Sequence, residues 1–182
     1  GVQTCALPIL GGLSGSDNTH SGAYDVAMFA NIPGITMLVP TSADEYLADL
    51  AWATLPAGAD GAPDGPVVIR VPGEAILAAE REPSLLPVTG GRVQVGHPQS
   101  TVSTAPASGS DPLAWRINQT GSRVAIAGLG NAYPLAEQVA AALTAEHSMK
   151  ATVIDPRQCT SLDADALESL RDGHELVVTL ED

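Results

Sequence analysis

The sequence predicts an α/β protein of two open, mainly parallel sheets, each truncated, joined by a linker. Three observations support this. Short apolar runs rich in Val and Ile recur at residues 35–39, 66–71, 124–129, 151–154 and 176–180. Patterns of helical period, opened by capping residues, separate the runs within each half. Between the halves, residues 99–112 are nearly all Ser, Thr, Ala, Pro and Gly, a composition too poor in apolar side chains to order itself.

In chain order, residues 23–30 carry Tyr24, Val26, Ala27, Met28 and Phe29, enough for a short buried helix that Pro33-Gly34 stops. Ile35-Thr-Met-Leu-Val39 reads as a buried strand ending at Pro40. Ser42 with Glu45 forms a capping box, and Leu47, Leu50 and Ala51 follow at helical spacing. Residues 57–65 are a loop, and Pro66-Val-Val-Ile-Arg-Val71 is the next strand. Strand, helix and strand at this spacing make a βαβ unit and hence a parallel pair. Residues 81–118 read as linker with some strand at 92–95 and 113–117.

The second unit opens with Val124-Ala-Ile-Ala-Gly-Leu129 as a buried strand, and Pro134 suits the first turn of the next helix. Leu135, Val139, Ala142 and Leu143 supply that helix with an apolar stripe. Ala151-Thr-Val-Ile154 is a strand. Asp163 caps a helix carrying Leu167 and Leu170, with Gly173 as a left-handed stop before a last strand at 176–180. The order is again β-α-β-α-β, and parallel.

The chain has 182 residues, 45% of them apolar, enough to bury a core. Its formal charge of −13 argues against nucleic acid or an anionic membrane as partner. No apolar run approaches the roughly 18 residues of a membrane span. Two cysteines, Cys5 and Cys159, and four scattered histidines provide neither a disulfide framework nor zinc-ligand spacing. No basic segment precedes the apolar residues at the start, so the cytoplasm is the expected location. Residues 1–9 resemble a translated sequencing adapter, and the break after the apolar run 176–180 reads as a cut, so a fragment of a longer parent is expected.

Gly128-Leu-Gly130 after a strand hints at a dinucleotide fingerprint, but Tyr133 stands where the third glycine belongs. A tight strand-to-helix turn is the better reading. Gly15-Ser-Asp-Asn-Thr-His20-Ser-Gly22 holds a carboxylate, an amide, hydroxyls and an imidazole in one loop, the kind of segment that carries binding groups. Asp17, Asn18 and Thr19 can fix the tautomer of His20, and imidazole titrates near neutrality. A solvated loop histidine is the plainer alternative.

Four motifs in order carry a resemblance. Ser16-Asp-Asn-Thr-His-Ser-Gly-Ala-Tyr-Asp25, Asn31-Ile-Pro-Gly34, Val39-Pro-Thr-Ser-Ala-Asp-Glu45 and Gly65-Pro-Val-Val-Ile-Arg-Val-Pro72 are similar to the pyrimidine-binding domain of transketolase-like thiamine-diphosphate enzymes. Gly121-Ser-Arg-Val-Ala-Ile-Ala-Gly-Leu-Gly130, Val153-Ile-Asp-Pro-Arg157, Ser161-Leu-Asp163 and the run 174–182 resemble the family's C-terminal domain. The division implied is an adapter-like 1–9, the end of a pyrimidine-binding domain at 10–80, a linker at 81–120 with a flexible insertion at 99–112, and the start of a transketolase C-terminal domain at 121–182.

Within the family, Ile69-Arg-Val-Pro72 points to its synthase members, which condense pyruvate with glyceraldehyde 3-phosphate and release carbon dioxide. The resemblance implies His20 as the active-site histidine and Asp17 and Arg70 as substrate-binding groups, with the Arg70 fork suited to a phosphate. An ion pair with surface carboxylates is the alternative for Arg70, and a turn or cap for Asp17. The resemblance also implies thiamine diphosphate and Mg2+ in the full-length parent, which would be a homodimer. The family's aminopyrimidine glutamate, its magnesium motif and a second arginine before His20 have no counterpart here, so this fragment is expected to bind no cofactor and to be inactive alone. Cys159-Thr-Ser161 replaces a more usual Val-Lys-Pro. The alternatives are a 2-oxoacid dehydrogenase β subunit, a transketolase, or a non-catalytic interaction protein with a degenerate version of the fold.

Overall fold

The computed structural model describes residues 22, 24–74, 76 and 113–181, together with the backbone of 93–94 and 101–102. Residues 1–9, Asp17, His20 and most of the linker lie outside the described residues.

The first unit runs α1 (Asp25–Phe29), β1 (Thr36–Leu38), α2 (Ala43–Ala53) and β2 (Val67–Ile69). β1 and β2 pair in parallel, Thr36 opposite Val67 through Leu38 opposite Ile69, as the βαβ reading requires. Ser42 caps α2, its hydroxyl accepting from Glu45 N at 3.1 Å. Trp52 and Ala53 from the far end of α2 pack on Leu38, Val67 and Ile69. The indole of Trp52 is satisfied while buried, donating to the Gly61 carbonyl at 2.7 Å.

β3 (Val93–Gln94) and β4 (Thr101–Val102) form a two-residue antiparallel pair. β4 thus falls within the span expected to be a flexible insertion.

The second unit contains β5 (Arg116–Gln119), β6 (Arg123–Gly128), α3 (Tyr133–His147), β7 (Thr152–Asp155), α4 (Ala164–Gly173) and β8 (His174–Leu180). Its sheet has the order β5-β7-β6-β8. β6 pairs in parallel with β7 and β8, while β5 joins the edge antiparallel to β7. Two open, mainly parallel sheets are therefore observed. A 3-10 turn at Gly130–Ala132 carries β6 into α3, and Pro134 occupies the first turn of that helix. Asp163 caps α4, its Oδ1 accepting from Ala166 N at 2.9 Å.

Four expectations about facing and capping need correction. Tyr24 and Met28 of the first helical segment are 76% and 62% exposed, and the buried residue of α1 is Asp25. In α2 the buried face is Glu45, Ala48, Asp49, Trp52 and Ala53, with Leu47, Leu50 and Ala51 only half-buried. In α3, Leu135, Val139 and Ala142 face outward, and Tyr133, Ala136 and Ala140 pack on Ile126 and Val153. Small residues win that face because the helix lies close to β6: a Cβ on Gly128 would come within 2.9 Å of Ala136 Cβ. Gly173 is helical rather than left-handed, because α4 passes directly into β8 through an extended His174.

Candidate active site

Arg70 follows β2 directly, and its guanidinium faces Asp25 and the Gly22 carbonyl. Its side chain is 2% exposed, with Nε 2.9 Å from Asp25 Oδ2. Nη2 donates to the Gly22 carbonyl at 3.3 Å. The ion-pair alternative is closer to what forms, with the pair buried rather than at the surface. Its effect is mechanical as well as electrostatic. It binds the end of β2 to the start of α1 and to Gly22, two positions beyond His20 in sequence.

A second group of charged side chains joins the two sheets. β1 is flanked on one side by β2 and on the other by the turn after β7. Val39 N donates to Arg157 O at 2.7 Å, Cys159 N to Met37 O at 3.2 Å, and Met37 N to Thr160 Oγ1 at 3.1 Å. Under this seam Glu45 is fully buried. Its Oε1 accepts from Arg157 Nε at 3.0 Å, and its Oε2 accepts from Thr41 N at 2.8 Å. Asp155, also fully buried, accepts from Arg116 Nη2 on Oδ2 and from Arg157 N on Oδ1. Arg157 holds a left-handed backbone, φ 63°, uncommon for a residue with a Cβ, and three contacts of its own (to Glu45, Asp155 and the Ala114 carbonyl) hold it there.

Burial dominates the electrostatics of this group. It pushes the Asp155 carboxyl up to about 7, with Glu45 adding to the rise and Arg116 opposing it. Asp49, one turn beyond Glu45 on the same face of α2, is raised well above its ordinary value by burial and then by Glu45, against Arg157. For Arg116, burial opposes the charged form, but the Glu45 and Asp155 carboxylates outweigh it and its pKa is raised. Cys159 is a half-buried loop thiol, pushed up to about 11 by burial and so held neutral.

None of these groups fits thiamine diphosphate or Mg2+. The buried guanidiniums are already matched with carboxylates: Arg70 with Asp25, Arg157 with Glu45, and Arg116 with Asp155 and Glu45. Among the described residues no three His, Cys, Asp or Glu side chains are placed to hold a metal ion. No step is therefore derived through either group. Sequence reasoning missed Asp25, Thr41, Glu45, Asp49, Arg116, Asp155 and Arg157. One signal was available: Glu45 and Asp49 share a helix face with Trp52, so that carboxylates at i and i+4 sit in line with a large apolar residue.

The family of transketolase C-terminal domains matches residues 113–182, the segment that forms the four-stranded sheet. Similarity extends well beyond that segment. A 1-deoxy-D-xylulose-5-phosphate synthase of Acidobacterium capsulatum is 33% identical over 178 residues, covering 94% of this chain and 23% of the relative. Residues 113–182 thus match the transketolase C-terminal domain family, and the resemblance of the chain to transketolase-like synthases is borne out. A second synthase, of Rhodobacter capsulatus, is 32% identical over 171 residues, 93% of this chain and 22% of its own length. The chain therefore spans less than a quarter of these relatives. Among solved structures, a split-gene transketolase in an inactive β4 tetramer superposes with a TM-score of 0.60 at 22% identity, over 90% of this chain and 44% of that one. A transketolase variant of Pichia stipitis gives 0.52 at 14% identity, over 90% of this chain and 20% of that one. At those identities the likeness is one of fold, and it agrees with the two open sheets.

Proposed function

We propose that this transketolase-like chain forms part of a synthase that condenses pyruvate with glyceraldehyde 3-phosphate to 1-deoxy-D-xylulose 5-phosphate, a transferase step that feeds isoprenoid and thiamine synthesis. One observation carries the reading: the similarity to such synthases runs through both units, over 94% of the chain, rather than through the C-terminal domain alone. Thiamine diphosphate and Mg2+ would be held outside the described residues, and the enzyme would be a cytoplasmic homodimer.

Carbon dioxide leaves pyruvate in this reaction and one proton is taken up, so a protein group must deliver a proton near the new carbon–carbon bond. His20 is assigned that task, with hydrogen bonds to substrate oxygens, and Asp17 is assigned to orienting the substrate or the imidazole. Arg70 enters the reading through the segment it holds, since Gly22 and Asp25 both lie just beyond His20. A direct grip on the acceptor's phosphate would require Asp25 to share the guanidinium.

The test is product formation by the complete protein that carries these residues. It is expected to convert pyruvate and glyceraldehyde 3-phosphate to carbon dioxide and the five-carbon ketose phosphate, and His20→Ala should lower turnover by roughly 10²–10⁴-fold. Turnover of 2-oxoacid without the aldehyde, or transfer from a ketose phosphate donor, would assign the chain to another branch of the family.

A further inference from the structure

Gly128, Gly130 and Asn131, in the turn that carries β6 into α3, each make a close contact that fixes what may stand beside them. A Cβ on Gly128 would come within 2.7 Å of Tyr133 Cα, so α3 lies directly on the end of β6. Gly130, at φ +55°, brings the turn against the first unit, where its Cβ would lie 2.4 Å from Val39 Cγ1. Asn131 reaches the neighbouring strand of that unit: its Oδ1 accepts from Gly73 N at 2.9 Å. A Cβ on Gly73 would stand 3.2 Å from the same oxygen, so the approach is one of backbone to side chain. Two consecutive residues of the second unit thus touch segments just past the C-terminal ends of β1 and β2. In open parallel sheets that is the end where ligands bind.

The segment that Asn131 holds is Arg70-Val-Pro-Gly73. Arg70 N donates to the Leu38 carbonyl at 2.9 Å, beside the last residues of β1 and β2. Pro72 has no N–H, so Gly73 supplies the first backbone donor after it, and Asn131 takes that donor. The Gly73 carbonyl accepts from Ile76 N at 3.0 Å, and Ile76 is fully buried. Both polar groups of the Gly73 backbone are therefore engaged. Three positions earlier, the Arg70 guanidinium meets Asp25 and the Gly22 carbonyl. A short route of hydrogen bonds, one ion pair and a few residues of chain joins Asn131 to the segment just beyond His20.

We propose that Asn131 is a positioning residue for the candidate active site: it fixes the turn at Gly73, and through it Arg70 and the segment that follows His20. The second unit thereby sets the geometry of a site whose assigned groups, Asp17, His20 and Arg70, all lie in the first. The Gly-x-Gly turn has a use of its own in this arrangement, since its glycines bring Asn131 close enough to reach Gly73. The expected effect on rate rests on the synthase reading, whereas the link from Asn131 to Asp25 does not.

Physical contact along a route is not coupling, so the test measures coupling directly. In the complete protein, Asn131→Ala should lower kcat by about 2- to 10-fold, the range of one neutral hydrogen bond, with KM for the two substrates changing to a similar extent. Asn131→Asp keeps an oxygen acceptor and should recover most of the rate. In an Arg70→Ala background, Asn131→Ala should cost little more, because the residue it positions is gone. Amide hydrogen exchange should show Gly73 and Asp25 losing protection in Asn131→Ala, with Ile126 inside the second sheet unchanged. Should Asn131→Ala fail to fold, Asn131→Leu, of similar size and without an acceptor, is read in the same way.

A variant with lower thermal stability and unchanged kcat would make the contact a structural tie only and overturn the proposal. Equal rate losses with and without Arg70 would overturn it too, as would an Asn131→Asp enzyme no faster than Asn131→Ala. If the complete protein forms no ketose phosphate, the synthase reading fails and exchange alone decides: unaltered protection at Asp25 in Asn131→Ala overturns the link.

Discussion

Asp25 Oδ2 lies 2.9 Å from Arg70 Nε, and the two side chains are 3% and 2% exposed. Such a pair does not add much to stability relative to apolar residues of the same size, but breaking it leaves a buried charge without compensation. Asp25→Ala is therefore expected to lower unfolding free energy by about 3–5 kcal/mol in a urea titration. The double change Asp25→Leu with Arg70→Met should cost less than that single change. A loss for Asp25→Ala within the ±0.5 kcal/mol of an ordinary surface substitution would mean that the pair is not buried in solution.

A second prediction concerns Asp49, whose pKa is raised by burial and by Glu45. A carboxyl raised in the folded state contributes fully below its unfolded value, and that contribution is lost as pH increases above it. Asn imitates the protonated form and removes the dependence. Asp49→Asn should match the native chain near pH 4 and become progressively more stable than it toward pH 8, by thermal or urea unfolding. A variant that loses ground to the native chain as pH rises would show Asp49 to be a stabilising ion-pair partner instead.

The alternation of β1, α2 and β2, and of β6, α3, β7, α4 and β8, was legible because each strand is a short apolar run, α2 and α4 open on the caps Ser42 and Asp163, and α3 opens with Pro134 in its first turn. The helix faces were not. In α3 the expected stripe contained Leu135 and Val139, yet Ala136 and Ala140 are buried, since close approach to Gly128 rewards small volume over apolar area. In α2, Glu45 turns inward because Arg157 and Arg116 meet it there from 112 and 71 positions away in sequence. No local pattern encodes a partner at that distance. Strand was expected at 113–117, overlapping β5, but its place as the antiparallel edge beside β7 was hidden, its residues being mostly polar. Of the site, Arg70 could be read as a charged group needing a partner, but the partner, Asp25, could not.

A third prediction tests how closely the two sheets approach. Gly130 adopts φ +55°, and a Cβ there would lie 2.4 Å from Val39 Cγ1 of the first unit. Gly130→Ala therefore combines a disfavoured backbone with a steric overlap, and a loss of about 1–3 kcal/mol is expected. Gly173→Ala is the control, with nothing within 4 Å of its Cβ and helical backbone. There, alanine should be neutral or stabilising by up to about 1 kcal/mol. Similar losses at both positions would show that Val39 is not packed against the turn.

The last prediction separates two roles for Arg70 in the complete protein. If the guanidinium gripped the acceptor's phosphate, Arg70→Ala would raise KM for glyceraldehyde 3-phosphate by roughly 10- to 150-fold, the equivalent of about 1.5–3 kcal/mol for a charge-assisted contact, and leave pyruvate alone. The pairing with Asp25 and the hydrogen bond to the Gly22 carbonyl favour a different outcome. Removing Arg70 frees the segment just beyond His20, so kcat should fall for the reaction as a whole, with KM for the two substrates changing to a similar extent. Arg70→Lys keeps the charge beside Asp25 but cannot span Asp25 and Gly22 with one planar fork, and should restore only part of the rate. Unphosphorylated glyceraldehyde sharpens the comparison. A phosphate grip predicts that it is used no worse by Arg70→Ala than by the original enzyme, whereas a positioning role predicts the same proportional loss as for the phosphorylated aldehyde. A KM effect confined to the phosphorylated substrate would return Arg70 to the phosphate site and require Asp25 to release it when substrate binds.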